Sequence, residues 1–373
     1  MRRALLIAGL LFLGLAVAGG WVWSSLYLPY QGFAAPGVYV DVPRGASSRT
    51  IARLLASQGV VRNRWVFEAL SRRFGRPLQA GEYYFDHPAT ASEVFDTLAD
   101  GRVYVRELVI PEGYSMFDIA DLVAREDFLS RDEFLAAASD PAPIRDLAPN
   151  AKSLEGFLFP ATYGFPRHPS GQAMVDAMVK RFRQEWSTIS EQPPPAQQPN
   201  AQQPYAQPSS AQFPPLEKVV TLASLVERET PIPDERPLVA GVFANRLRQG
   251  VPLQCDPTVV YALELAGQYT GTLEAREIPF DSPYNTYRHT GLPPGPIANP
   301  GEASLRAALA PTKTDYLYFV ANTEGGHFFS KTLEEHNRNV AKYRQRLAAE
   351  RNAAHSTDSA PPGPERGHAQ KSP

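Results

Sequence analysis

A glutamate at the end of an apolar run is the residue of this chain best placed for acid–base chemistry. Leu216–Thr230 has a helical pattern, and its middle, Val219–Val226, contains only two polar residues. Glu227 lies on the same helical face as Val220 and Ala223, so its carboxyl group is directed toward the core. Burial disfavours the charged form, raises the pKa and keeps a general acid protonated near neutral pH. This pattern makes Glu227 a candidate for such an acid, although periodicity alone favours an ordinary surface glutamate near a helix end.

A second glutamate follows two residues later. Glu229 is about 200° around the helix from Glu227. We therefore expect Glu229 to face elsewhere and to be solvated.

The single cysteine, Cys255, offers a different chemistry. One cysteine excludes intramolecular disulfides and zinc or iron–sulfur sites built from several cysteines. A cysteine hydrolase could pair Cys255 with His289 or His327. A nucleophilic cysteine needs a lowered pKa, whereas the neighbouring Asp256 would raise it, which disfavours this alternative.

The elements after the apolar helix are predicted from local signals. A helix over Glu235–Gln249 is expected to be capped by Asp234 and to end at Gly250. Tyr316–Ala321 and His327–Ser330 indicate a hairpin. A capping box at Thr332 and Glu335 begins the last helix.

Composition and charge limit the function classes. The chain has 373 residues with 37 Lys and Arg against 39 Asp and Glu, so the net charge is −2 and nucleic-acid binding is disfavoured. Proline is frequent, with 36 copies. Residues 192–215 contain fifteen Pro or Gln and no charge, so we predict a disordered insertion there. Residues 349–373 are predicted as a disordered tail.

The N-terminus indicates a membrane anchor. Ala4–Leu28 contains no charge and, as a helix, would extend about 37 Å, enough to cross a bilayer. Residues 1–3 contain two arginines and are predicted to be cytoplasmic, which places the rest of the chain outside. An aromatic belt marks the far end: Trp21, Trp23 and Tyr27. The alternative is a signal peptide cleaved after Ala16-Val17-Ala18.

Residues 38–138 contain an internal repeat. Val42–Ser47 precedes Ile51–Leu54 in the same way that Ile110–Ser115, 68 residues later, precedes Ile119–Leu122. Each copy is typical of a short strand, a Pro-x-Gly turn and a helix. The unit is similar to LysM modules, which bind glycans rich in N-acetylglucosamine. A small packing unit without a ligand is the alternative.

Further helix starts in this region are predicted at residues with capping side chains. These are Asn63, Thr90 with Glu93, Ser115 with Asp118, and Ser130 with Glu133. A strand is predicted at Tyr83–Phe85.

An ordered series of motifs extends beyond the apolar helix. In chain order, these motifs are Leu154–Pro160, Ala223–Thr230, Val242–Leu247, Leu253–Val259, Ser282–Tyr287, Gly291–Ile297 and Tyr316–Ala321. The series resembles the endolytic murein transglycosylase family, the YceG-like proteins. This resemblance implies an α+β chain with an N-terminal transmembrane helix, a LysM-like α+β region and a mixed helical and strand catalytic domain at 150–348.

The resemblance also implies the reaction. It assigns Glu227 as the acid and base that cleaves the β-1,4 bond between N-acetylmuramic acid and N-acetylglucosamine in nascent peptidoglycan. Attack by the muramyl 6-hydroxyl would leave a 1,6-anhydro end, so no second carboxylate, metal or cofactor is expected.

Polar residues of the later motifs are our candidates for the sugar groove, because amides and hydroxyls suit sugar hydroxyl and acetamido groups. They are Gln254, Asp256, Asn285, Thr286 and Tyr287, with Glu155 as a further contributor. The alternative is a purely structural role in turns and caps.

Two other functions stay open. One is a membrane-tethered scaffold that binds peptidoglycan without cleaving it, and the other is a hydrolysing muramidase with Asp256 or Glu155 as second carboxylate. Family resemblance further implies a location in the inner membrane, with the catalytic domain on the periplasmic side and the penicillin-binding synthases as neighbours.

Overall fold

The computed structural model describes residues 2–191 and 215–358, which divide into two compact units. The first unit contains residues up to Glu107 together with Gly164–Arg167, and the second contains the remainder. Most of the predicted insertion at 192–215, Met1 of the predicted cytoplasmic end, and residues 359–373 of the predicted tail lie outside the described residues.

The first unit is a small α+β fold. Its elements are α1 (Arg2–Tyr27), β1 (Val38–Val42), α2 (Ser48–Ser57), α3 (Arg64–Phe74), β2 (Gly81–Phe85) and α4 (Ala91–Ala99). Strands β1 and β2 pair antiparallel, with Val40 opposite Tyr83. Side chains from both strands and from α2–α4 bury one apolar core, which includes Leu55, Phe67 and Phe95.

Capping side chains begin these helices where they were predicted. Asn63 accepts hydrogen bonds from the first amides of α3. Thr90 and Glu93 form a reciprocal capping box at the start of α4. Each cap satisfies amides that would otherwise lack partners at a helix start, so these boundaries follow from local sequence.

Helix α1 is long and apolar enough to cross a membrane over Gly9–Tyr27. Its side chains are largely exposed there, whereas Ser25 near its end is buried. Helix α1 also packs against α3 and α4.

Two short strands, β3 (Arg106–Val109) and β4 (Thr162–Phe165), pair with each other. The second unit is mainly helical and ends in a hairpin and a long helix. Its remaining elements are α5 (Met116–Arg125), α6 (Arg131–Ala138), α7 (Gly171–Glu191), α8 (Leu216–Glu229), α9 (Arg236–Gln249), α10 (Asp256–Leu265), α11 (Glu302–Leu309), β5 (Tyr318–Ala321), β6 (His327–Ser330) and α12 (Leu333–Asp358).

The central helix of the second unit is α8. It packs against α9, α10 and α11, and residues Val219–Glu227 are all buried. The apolar run seen in the sequence therefore has partners on several sides, and α8 carries its last residues to the candidate site.

The predicted mixed α+β content is confirmed, but several boundaries differ. Helix α9 begins at Arg236 after a 3-10 turn over Pro233–Glu235, and Asp234 makes no cap. The prolines hold the chain in a tight turn there. Strand β5 begins at Tyr318 rather than Tyr316.

Two larger predictions also change. Helix α12 continues to Asp358, so residues 349–358 are helical rather than the start of a disordered tail. The boundary between the units after Glu107 falls inside the predicted repeat region of 38–138, so its two copies belong to different units. The likeness of this region to LysM modules stays a prediction.

Candidate active site

Glu227 is held in a buried ion pair. Its Oε1 lies 2.7 Å from an Nη atom of Arg236, and its Oε2 accepts a 2.9 Å hydrogen bond from the Gly301 amide. The two charged side chains are only 4% and 6% exposed. Burial raises the pKa of Glu227, while the Gly301 amide and Arg236 oppose the increase by favouring the carboxylate.

The same arginine reaches a third segment of the chain. Arg236 also contacts Glu112 at 3.3 Å, in the Pro-x-Gly turn of the second repeat copy. Gly301 fits closely against this pair, since a Cβ atom placed there would lie 2.0 Å from Glu112 Oε1. The charges of Glu227 and Arg236 are thus enclosed by the turn, α8 and the start of α11.

Glu229 has different surroundings. It is the last residue of α8, it is half-buried, and it lines a cavity of about 290 Å³. As predicted, Glu229 faces away from the surroundings of Glu227 and is the more exposed of the two, but it lies at a cavity wall rather than on the open surface. Burial is the main cause that raises its pKa, the negative charge of Asp256 adds to the increase, and a hydrogen bond from Cys255 opposes it.

Both polar and apolar side chains line this cavity. Its lining residues are Glu229, Phe243, Arg246, Leu253, Gln254, Asp256, Tyr287, Phe319 and His336. Three of the predicted groove residues, Gln254, Asp256 and Tyr287, thus lie together beside Glu229. All of these residues belong to the second unit.

Gln254 has an unusual backbone. Its φ is +54°, in the left-handed region that few residues other than glycine adopt. The Gln254 amide donates to the Thr286 carbonyl over 3.2 Å, and Arg246 donates to its side-chain oxygen over 3.4 Å. These contacts hold the side chain at the cavity wall.

Asp256 and Tyr287 form a pair within the cavity. The Tyr287 hydroxyl donates to Asp256 Oδ1 over 2.5 Å. Burial and this hydrogen bond raise the pKa of Tyr287, so its hydroxyl stays protonated. Asp256 begins α10, where the helix dipole favours its negative charge.

Arg246 fixes the loop that carries these residues. Its guanidinium donates to the carbonyls of Leu317, Pro252 and Leu253 at 2.6, 3.0 and 2.8 Å. It also lies over the Tyr318 ring, 5.1 Å from the centroid. Arg246 was not among the predicted site residues, because its role depends on carbonyl groups that no local motif reveals.

His336 is a further lining residue that the sequence analysis missed. It stacks on Tyr318 with 5.3 Å between ring centroids. Its Nδ1 atom is buried, and no hydrogen-bond partner is found for it in the described part of the chain.

Asn285 and Thr286 are not part of the cavity wall. The Asn285 amide donates to the carbonyls of Ile278 and Phe280 at 2.8 and 2.7 Å, and its oxygen accepts from the Tyr287 amide. Thr286 Oγ1 accepts from the Cys255 amide over 3.0 Å. Both side chains are buried and organise the loops behind Tyr287 and Cys255.

Glu155 is also absent from the cavity lining. Its two oxygens accept 2.9 Å hydrogen bonds from the Met116 amide and the Asn299 side chain. Complete burial raises its pKa to about 8. Glu155 joins the start of α5 to the loop before α11, which is a structural arrangement.

The cysteine is unsuited to nucleophilic chemistry. Cys255 is buried, and its thiol forms a hydrogen bond with the Glu229 side chain. Burial, with the nearby negative charge of Glu229, raises the thiol pKa well above its usual value. A nucleophilic cysteine needs the opposite shift. The described residues contain no group of three or more His, Cys, Asp or Glu side chains that could hold a metal ion.

A family model matches most of the chain. The YceG-like family aligns with residues 40–342, which include every residue of the candidate active site. This chain belongs to the YceG-like family. The match covers the repeat region of the sequence and the whole cavity wall.

Individual relatives agree with this assignment. A Bacillus subtilis protein named endolytic murein transglycosylase is 33% identical over 347 residues, covering 88% of this chain and 91% of the relative. A Streptococcus pneumoniae protein of the same name is 30% identical, covering 91% of this chain and 65% of the relative. The crystal structure of a yceG-like protein from Listeria monocytogenes is 34% identical, covers 81% of this chain and 98% of that one, and gives a TM-score of 0.50.

Proposed function

We propose that this YceG-like chain is an endolytic lytic transglycosylase that cleaves the β-1,4 bond between N-acetylmuramic acid and N-acetylglucosamine inside peptidoglycan strands. The names of its relatives support the substrate class. The cavity supports a sugar ligand, because an amide, a carboxylate and a phenol are among the groups that line it.

We further propose Glu229, rather than Glu227, as the acid and base. The observation that carries this choice is that the Glu229 carboxyl group lines the cavity with a raised pKa. The carboxylate of Glu227 is already bound by Arg236 and Gly301, so it is poorly suited to exchange a proton with a substrate.

The reaction then needs one carboxyl group. Protonated Glu229 donates its proton to the glycosidic oxygen as the bond from that oxygen to C1 breaks. The Glu229 carboxylate next removes the proton of the muramyl 6-hydroxyl, whose oxygen bonds to C1. The products are a 1,6-anhydro end and a new hydroxyl group on the other strand, and Glu229 regains its proton.

Other cavity residues bind and orient the sugar in this proposal. Gln254 and His336 offer hydrogen-bonding atoms, and the Tyr287 ring offers a surface for stacking. Arg246 keeps the loop in place through three carbonyl groups. No metal or cofactor takes part in the proposed steps.

Mass spectrometry of digested glycan strands tests the proposal. Purified full-length protein should release strands with 1,6-anhydro ends, and E229Q should release them at least about 100-fold more slowly. Folded E227Q protein should still release them. Release of anhydro product by folded E229Q at a rate close to that of the wild type would contradict the assignment of Glu229.

Hydrolysis is a second candidate, because Asp256 is another carboxylate in the same cavity. Hydrolysis would give reducing ends, heavier by one water. Full-length protein that binds strands but releases no product would instead indicate a scaffold.

We also propose that α1 is retained as a single-pass anchor, with the rest of the chain on the periplasmic side. The apolar span and the arginines before it support this orientation. Sequencing the N-terminus of the mature protein from membranes distinguishes an anchor from a cleaved signal. Proximity to the penicillin-binding synthases is an expectation carried by the family resemblance alone.

A further inference from the structure

The first unit presents a surface rich in arginine that the proposed reaction does not use. Residues 44–76 contain eight arginines, a single glutamate, no aspartate and no lysine, whereas the whole chain has a net charge of −2. All eight arginines are exposed. They are Arg44, Arg49, Arg53, Arg62, Arg64, Arg72, Arg73 and Arg76, and we call them the arginine surface.

Few acidic groups neutralise this charge. Arg49 and Arg72 share Glu68, at 3.3 and 2.5 Å, and Arg76 pairs with two aspartates. For the other five arginines, no carboxylate partner is found among the described residues. Most of the positive charge is therefore free to attract an anionic partner.

An exposed tryptophan lies within the arginine surface. Trp65 is 58% exposed, near the start of α3. Arg72 and Arg73 follow it at seven and eight residues, a spacing that places them on the same helical face. The Arg64 guanidinium lies 4.4 Å from the Trp65 ring centroid. Exposed tryptophan beside arginine is typical of side chains at a membrane interface.

The position of α3 identifies the membrane as the partner. Helix α3 contacts α1, the helix proposed to cross the bilayer, within the same compact unit. The surface is therefore tethered close to lipid headgroups. A soluble polyanion would be attracted by the same charge but would give no reason for an exposed tryptophan beside a membrane-spanning helix.

We infer that the arginine surface binds anionic phospholipid headgroups of the outer leaflet, with Trp65 inserted among them. This inference rests on the proposed membrane anchoring. Guanidinium groups pair well with phosphate oxygens, and basic residues beside a membrane helix are attracted to an anionic surface within a Debye length. Unit one would then lie against the membrane instead of moving freely above it.

Tryptophan fluorescence of the full chain tests this inference. The chain has four tryptophans, so the triple variant W21F/W23F/W186F leaves Trp65 as the only one. The variant is reconstituted into phosphatidylcholine vesicles with or without phosphatidylglycerol, and lipids brominated high on the acyl chain serve as quenchers. We expect a blue shift and quenching of Trp65 that require phosphatidylglycerol and weaken at high salt.

Charge variants separate binding from simple proximity. In the same background, R53Q/R64Q/R73Q removes three exposed arginines of the surface and should lose most of the quenching. The matched control R125Q/R276Q/R344Q removes three exposed arginines of the second unit and should keep it. Equal thermal unfolding of both variants in detergent shows that the fold is intact.

Four results would overturn the inference, and the first three concern Trp65 and the charge variants. Trp65 could emit identically in detergent and in anionic vesicles, its quenching could be equal in neutral vesicles, or the two charge variants could behave alike. In W65F, quenching of Trp21 and Trp23 reports insertion of α1, so loss of that signal would also reject the inference, through failure of anchoring. The strand-cleavage assay is independent of all these readings.

Discussion

Glu227 and Glu229 are two residues apart on one helix, yet their surroundings are opposite. The carboxylate of Glu227 is paired with Arg236 in the interior, whereas the carboxyl group of Glu229 borders a cavity. Burial raises the pKa of both groups. A raised pKa therefore does not distinguish a catalytic acid from a structural one, and the partners of each oxygen do.

The difference has a simple origin in helix geometry. Two residues correspond to about 200° of rotation. One direction from the end of α8 faces the beginning of α9, where Arg236 lies. The other faces the loop that carries Gln254 and the start of α10. A single helix end thus serves a buried ion pair and a ligand cavity.

The largest expected effect is on catalysis by Glu229. The variant E229Q removes the exchangeable acid while keeping the shape of the side chain. General acid–base catalysis contributes about 10²–10⁴-fold, so we expect a loss of that size in the release of anhydro-ended strands. Urea denaturation followed by circular dichroism should give a free energy of unfolding within about 1 kcal/mol of the wild-type value.

Glu227 should instead affect stability. Because E227Q leaves the charge of Arg236 buried with only a partly exposed Glu112 beside it, we expect a loss of about 3 kcal/mol in the free energy of unfolding. Urea denaturation measures this loss.

The double variant E227L/R236M is the control for the ion pair. It removes both buried charges and should recover most of the lost stability. A double variant that is less stable than E227Q would show that the ion pair is not the cause.

Glu155 extends the comparison to a buried carboxyl group without a cation. Its pKa is about 8, so the folded state retains a proton that the unfolded state releases above its ordinary value of 4.5. This contribution to stability is complete below pH 4.5 and disappears as the pH rises toward 8. The free energy of unfolding should fall by up to about 1.4 kcal/mol per pH unit in that range.

Urea denaturation at several pH values checks this slope. Glu264, with a pKa raised to about 7 mainly by burial, adds to the decrease in the same range. The variant E155Q should make the free energy of unfolding less dependent on pH, even if it also changes the stability at every pH. An unchanged slope in E155Q would assign the pH dependence elsewhere.

The smallest expected effect comes from Cys255. Its thiol donates to Glu229 and so favours the carboxylate. The variant C255A removes this donor, so the pKa of Glu229 should rise, and the alkaline limb of the activity profile should move to higher pH by less than about one unit.

The control for this prediction is C255S, which keeps a donor. It should stay active and close to the wild-type profile. An inactive C255S variant would favour the cysteine hydrolase. Identical pH profiles for the wild type, C255A and C255S would show that Cys255 does not influence the pKa of Glu229.

Local signals predicted much of the fold. Asn63 and Thr90 begin their helices because the cap lies within three residues of the amides that it satisfies. The hairpin of β5 and β6 likewise joins segments close in sequence. Asp234 failed as a cap because the two nearby prolines impose a 3-10 turn that a capping pattern does not take into account.

The candidate site was predicted only in part, for physical reasons. Gln254, Asp256 and Tyr287 were selected as groove residues, and the structure brings them together. The choice between Glu227 and Glu229 depends on Gly301, 74 residues away, and on the tight turn that brings Arg236 to α8. Helical periodicity contains neither contact, so it could identify the helix but not the carboxyl group that meets the cavity.

The close fit of Gly301 against Glu112 affects the design of chimaeras between this chain and its relatives. The turn at Glu112, the end of α8, Arg236 and the start of α11 meet at Gly301, where any larger residue would require the Glu112 side chain to move. A chimaera that takes any one of these segments from a distant relative would import a mismatched neighbour. Crossover points should therefore succeed only where all four segments come from the same parent.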